Sequence, residues 1–345
     1  MRKLLLGTTA LAAAATLSAN VAVADVSISG AFDWSYSSTS SDIAANDGTS
    51  FGTDSEIKFS FTNKTDSGLT VSMVTELESD DADTAINESS LSISGGFGKI
   101  VLGGNDGAGE DYGIASTDLP AEEIYATGTD ELTLTKPDIS AMSGDANKIS
   151  YHLPAMGGLT AGVSFQNSGA TGATDTTEFG AQYAMEAGGA AITLGYASAT
   201  KEASSQDTDS TVIGVKVVSG NITAAVSQST FEKAATAAVT LVAETDTVAR
   251  VAPVTAIDKA DEESTGAAVS FKVNDGMTVT VHTAETDDGQ TTESYSNSGV
   301  EVAYTVAPGL SAYLNIEDYD YKAGNSTGNT NDAGTASKIT IKASF

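Results

Sequence analysis

The stretch Asp25-Val-Ser-Ile-Ser-Gly-Ala-Phe-Asp-Trp-Ser-Tyr36 puts Val26, Ile28, Phe32, Trp34 and Tyr36 on one parity and Ser27, Ser29, Ala31, Asp33 and Ser35 on the other. A period of two marks a β-strand with one apolar and one polar face. The alternation returns at Ile57, Phe59 and Phe61, at Leu69, Val71 and Met73, and onward through Ile213, Val215 and Val217 to Ile339, Ile341, Ala343 and Phe345. Seven tight connections fall at 65–68, 95–98, 154–158, 187–189, 219–221, 274–276 and 307–309, and eight longer, acidic, Ser/Thr/Asn-rich ones lie between them. Fifteen connections predict sixteen strands, and their strict alternation gathers the short ones at one end of the sheet and the long ones at the other. Apolar runs at 238–243 and 248–252 leave room for an extra hairpin, which would make eighteen strands.

That layout is all-β and predicts a transmembrane antiparallel barrel with short turns on one side and long loops on the other. A soluble sandwich also alternates, but its core needs bulky residues on the inner face. Here the second face is Ser, Thr, Gly, Asp and Lys. Trp34, Tyr36, Tyr151, Tyr183, Tyr196 and Tyr304 sit near strand ends, where aromatic girdles meet a bilayer interface.

Composition narrows the function. Forty-six acidic residues stand against 16 Lys and Arg in a 345-residue chain, for a net charge of -30. Nothing in that balance neutralises a phosphate backbone, so no nucleic-acid partner is expected. The absence of cysteine excludes disulfides, thiol catalysis and thiolate metal sites. Residues 1–24 combine Arg2 and Lys3, an apolar run from Leu4 to Leu17 and Ala22-Val-Ala24, which are the three parts of a cleaved export signal. Cleavage after Ala24 would leave one domain, 25–345, carrying -32 once Arg2 and Lys3 are gone.

Asp25-Val-Ser-Ile-Ser-Gly30 behind such a signal, Phe97-Gly-Lys-Ile-Val-Leu-Gly103 before a long acidic loop, and a terminal Phe345 together resemble the general diffusion porins of Gram-negative bacteria. The likeness is to the acidic, sixteen-stranded type of photosynthetic and marine alphaproteobacteria (Rhodobacter-like), and it covers the whole of 25–345. It implies a multi-pass protein of the cell outer membrane, forming a homotrimer of water-filled channels surrounded by lipid and lipopolysaccharide. It also implies Phe345 as the signal read by the barrel-assembly machinery, and a third loop folded into the lumen as a constriction. No cofactor is implied.

In this register the third long loop is 105–147. Its acids Asp106, Glu110, Asp111, Asp118, Glu122, Glu123, Asp130 and Glu131 are the candidate acidic side of the constriction, with Asp138 and Asp145 beyond them and Lys136 its one base. A solvated surface loop would be equally acidic, but loops of this length usually carry function. Strand parity turns Lys58, Lys216, Lys272, Lys338 and Lys342 inward as the candidate basic wall. The family's usual arginine cluster is missing, since Arg250 is the only arginine after Arg2. Acids facing lysines would set a transverse field across the gap, and the acid excess predicts mild cation preference. Lys58, Lys272 and Lys342 near strand ends could instead meet lipopolysaccharide or periplasmic water.

His152 and His282 also fall on the inward parity, with no zinc-binding or nucleophile-elbow spacing beside them, so no enzyme and no metal site are expected. Acidic loop clusters such as 78–83 and 261–263 allow diffuse divalent-cation binding. Two other readings stay open: a substrate-specific channel, which would need inward aromatics such as Tyr313 and Tyr319, and a structural or adhesive surface barrel.

Overall fold

The computed structural model describes residues 25–78, 86, 88–116, 119–121, 144, 146–167, 175–202, 207–233, 260–289, 292–324 and 330–345. Residues 1–24, the apolar runs at 238–243 and 248–252, and Asp118, Glu122, Glu123, Asp130 and Glu131 lie outside them.

Sixteen strands close into one antiparallel barrel, each bonded to its neighbours in sequence. They are β1 (Asp25–Ser41), β2 (Gly48–Lys64), β3 (Thr70–Glu78), β4 (Glu88–Gly95), β5 (Gly98–Gly104), β6 (Asn147–His152), β7 (Leu159–Gln166) and β8 (Asp175–Ala187). The series continues with β9 (Ala190–Glu202), β10 (Thr208–Ser219), β11 (Ile222–Lys233), β12 (Ala260–Asn274), β13 (Met277–Asp288), β14 (Ser294–Ala307), β15 (Leu310–Lys322) and β16 (Asp332–Ser344). Because β11 pairs directly with β12 over twelve positions, no hairpin is inserted between them and the count is sixteen, not eighteen. The seam joins β1 to β16, and the backbones of Gly30 and Phe345 exchange two hydrogen bonds there. Closure pairs every strand, so no open edge faces hydrocarbon.

The wall is inverted relative to a globule. On β10, Ile213 is 58% exposed while its neighbour Val212 is 2% exposed. The outward parity carries Ile28, Phe61, Met73, Phe179, Val226, Phe271 and Ile316, all exposed. The inward parity carries buried Ser164, Glu178, Thr280, Glu301, Asn315 and Glu317. Outward apolar groups stabilise the protein only if lipid surrounds it.

The wall is not of even height. β8 through β16 run 12 to 15 residues, whereas β4, β5, β6 and β7 run eight, seven, six and eight. At roughly 3.3 Å per residue and a tilt near 40°, seven residues rise about 18 Å, short of an apolar band about 25 Å tall.

Candidate functional site: the lumen and its inward loop

The loop after β5 enters the barrel. Its short helix α1 (Ala108–Tyr112) packs against β7, β8 and β9. Three backbone N–H groups fasten the segment to inward side chains. Ala108 donates to Ser164 Oγ at 3.0 Å, Ser116 to Ser227 Oγ at 2.8 Å, and Ala121 to Glu301 Oε1 at 3.0 Å. Ser164 is on β7, Ser227 on β11 and Glu301 on β14, so within fourteen residues the chain passes from one side of the lumen to the other. Gly109 N–H also reaches Glu178 Oε2 at 3.3 Å, and Ser164 Oγ donates to the same carboxylate oxygen at 3.1 Å. Glu178 is 1% exposed, and its charge is met by these donors.

Bare backbone on the wall makes this approach possible. A Cβ on Gly180 would stand 2.1 Å from the Ala108 carbonyl oxygen, and one on Gly214 would stand 2.0 Å from that of Ile114. Gly162 beneath the Tyr112 ring and Gly195 beneath Ile114 continue the same strip. Ile114 is thereby buried against the bare wall.

The neck of the loop is held by Lys148 on β6. Its buried ammonium donates to the carbonyls of Asn105, where the loop leaves β5, and of Gly144, just before β6. Lys148 shares its face with Ser150 and His152, so parity alone marks it as inward, as it does Lys99, which stands in register with His152; the lysines singled out from the sequence omitted both.

The loop acids within the described residues are Asp106, Glu110 and Asp111. Asp111 lies 3.6 Å from His152 Nδ1, to which Tyr112 Oη is hydrogen-bonded at 3.0 Å. Burial lifts the Asp111 carboxyl above the usual carboxylate range; Lys99 and Lys148 pull it down, while Asp106 and Glu178 add to the lift.

The five lysines singled out by parity divide by surroundings. Lys58 bridges Glu56 at 3.2 Å and Glu76 at 2.8 Å, and Lys342 pairs with Asp33 at 2.8 Å. Lys338 stands in register between Ser37 and Asn315. Lys272 has the inward parity but sits at the β12–β13 turn, where it pairs with Asp275 at 3.0 Å. Lys216 reaches the lumen beside the docked loop.

Across from the loop's docking strip, β13 to β15 present a polar cluster. Glu317 accepts from Asn297 Nδ2 at 2.9 Å and Tyr295 Oη at 3.4 Å, and its Oε2 lies 3.4 Å from His282 Nε2. Nearer the long-loop end, Tyr319 donates to Asp332 and Tyr321 to Glu293. Tyr295, Tyr319 and Tyr321 are all buried, which withdraws their ring faces from the water path. His152 on β6 and His282 on β13 are seven strands apart in a ring of sixteen and cannot act on one substrate atom.

Solved structures share this architecture at low sequence identity. A trimer form of in-vitro folded OmpT, an outer membrane protein of Vibrio cholerae, is 13% identical, covers 93% of this chain and 99% of its own, and superposes with a TM-score of 0.65. An anion-selective porin from Comamonas acidovorans is 16% identical over 94% of this chain and 100% of its own, with a TM-score of 0.64. A triple mutant of the Rhodopseudomonas blastica porin is 13% identical over 93% of this chain and 100% of its own, with a TM-score of 0.61. No curated protein matches the chain. The sequence itself matches the Gram-negative porin family over residues 7–325, most of its length. Inverted wall, closed seam and family match agree, and the chain belongs to the Gram-negative porins, outer-membrane channel proteins.

Proposed function

We propose that the protein is a general diffusion porin for ions and small hydrophilic solutes, with mild cation preference and no enzymatic activity. Residues 1–24 are removed on export. Loop 105–147 forms the constriction, with Asp106, Glu110 and Asp111 on its inner surface. The observation that carries this reading is the row of anchors from Ser164 through Ser227 to Glu301, which holds a backbone segment across the water path.

Cation preference follows from charge. Lys58 and Lys342 are neutralised by acids on their own wall, while the chain as a whole carries -30. The acid-rich composition is also the argument for the alphaproteobacterial type. A reversal potential in a KCl gradient tests the preference: the sign for potassium is expected, and the sign for chloride refutes it. A substrate-specific channel is disfavoured because Tyr295, Tyr319 and Tyr321 are buried, which leaves half-buried Tyr313 as the one member of the Tyr313–Tyr319 pair with ring surface toward the lumen. Liposome swelling with sugars of graded size should give a cutoff by size alone; one favoured sugar would support the specific channel, and no swelling a structural barrel.

The low sector supports a homotrimer. Strands β4 to β7 are too short to span hydrocarbon alone, yet Leu91, Leu102, Ile149 and Val163 on their outer face are apolar and exposed. Further copies of the chain would cover that face, and lipid with lipopolysaccharide the rest. Divalent cations would bridge acidic loops to lipopolysaccharide diffusely; among the described residues no cluster is placed to hold one. Phe345 serves as the assembly signal.

A further inference from the structure

We propose that the lumen carries a binding subsite for small hydroxylated carboxylates, built around Lys216 on the short-turn side of the docked loop. The proposal rests on the channel reading above and adds a preferred solute class to it.

A cavity of about 310 Å³ lies between the loop segment around Ile114 and Leu119 and the inward faces of β8, β10, β11 and β12. Lys216 follows Gly214 by two residues on the same face, one step below the point where the Ile114 backbone touches the wall. Its cross-strand neighbours are Thr193 and Ala225, neither of them charged. Among the described residues no carboxylate lies within ion-pair distance of Lys216, whereas Lys58, Lys272 and Lys342 each have one within 3.2 Å. In an acid-rich lumen this unpaired ammonium is a local positive spot that concentrates anions the rest of the channel repels.

The other walls of the cavity select what kind of anion. Gln182, whose Nε2 donates to the Gly113 carbonyl at 3.4 Å, keeps its carboxamide oxygen for a solute, and Thr223 and Ser270, the latter sharing a hydrogen bond with Thr280 at 2.8 Å, add two hydroxyls on the inward parity. Ile114 and Leu119 supply an apolar side suited to the C–H face of a short polyol chain. The volume lies at the small end of ligand sites, which run from about 300 to 1,000 Å³, and admits an acid of about six carbons but not an oligosaccharide. A carboxylate would sit at Lys216 with its hydroxyls on Gln182, Thr223 and Ser270. A neutral sugar has no group for the ammonium, and inorganic phosphate has no carbon chain for the apolar side.

Potassium gluconate is the probe, titrated into KCl on the short-turn side of single channels in planar bilayers. A saturable fall in open-channel current is expected. Lys216→Met, read against its own KCl current, should lose about fivefold in apparent affinity, the size of one exposed ion pair. Lys64→Met, at the short-turn end of β2 on the opposite side of the barrel from β10, should titrate as the wild type does. Equal titration of wild type and Lys216→Met overturns the subsite, as does glucose or inorganic phosphate matching gluconate. Normal KCl current with no gluconate response overturns the subsite alone; no KCl current at all overturns the channel reading with it.

Discussion

The two sides of the lumen are built on opposite rules. Under the inward loop the wall is Gly162, Gly180, Gly195, Gly214, Ala197 and Ala225, with Ser164 and Ser227 as its hydrogen-bonding points. On the far side, from β13 round the seam to β3, it is Glu301, Glu317, Asn297, Tyr295, Lys342, Asp33, Lys58 and Glu76, large groups paired with one another. One side is smooth enough for a backbone to lie on; the other fills space with side chains. Close approach of the loop therefore comes from what the wall lacks and its fastening from Ser164, Ser227 and Glu301, while the electrostatics of the path come from what the opposite wall carries.

Bulk added to the smooth side should break this contrast most visibly. Gly214→Val drives a side chain into the Ile114 carbonyl, which cannot move without lifting the loop. Overpacking of this kind costs about 1–3 kcal/mol. The lifted loop should lower single-channel conductance and raise open-state noise. Gly299→Ala on the far side meets chiefly the His282 ring, which can rotate, and should change conductance little. Equal effects would mean the loop does not rest on the strip.

Next in size is the contrast between the two faces of the wall. Val215→Lys points into lipid from mid-strand and should destabilise the barrel by about 2–4 kcal/mol in urea unfolding from vesicles. Ser60→Lys points into water and should leave the midpoint unchanged while shifting the reversal potential toward chloride.

Lys148→Met should act on the loop alone. It removes the ammonium that joins the Asn105 and Gly144 carbonyls and leaves both buried, at about 1–3 kcal/mol for the lost acceptor partners. Unfolding of the barrel should shift little, while limited proteolysis within 105–147 accelerates. Unchanged proteolysis would show that the wall anchors suffice.

The smallest effect is with pH. Because burial raises the Asp111 carboxyl, its charged form is disfavoured when α1 is docked. Docking is then favoured in full below the ordinary carboxylate range and weakens as pH rises through the raised value. Open-state noise should fall from pH 7 to pH 4.5, and Asp111→Asn should lower it at pH 7 and flatten the dependence.

Much of the architecture was legible because lipid enforces period two. Ile213 beside Val212 or Phe179 beside Gly180 can face only one way, and the seven tight turns sort the ends of the strands. Height along the barrel was not legible. Lys272 on β12 and Lys216 on β10 share the inward parity, yet one meets a turn aspartate and the other a cavity. Cross-strand neighbours were hidden for the same reason, because Gly180 and Gly214 become one strip only once register is set between β8, β9 and β10. The burial of Tyr319 and Tyr321 depends on Asp332 and Glu293, which lie on other strands or loops and carry no local pattern.

A contact made by glycine backbone has a one-way future. Every residue that could replace Gly180 or Gly214 is larger, so random change at those positions can only narrow the aperture or unseat its rim. A lineage seeking a wider sieve would have to rewrite the loop, since the wall beneath it is already pared to the minimum.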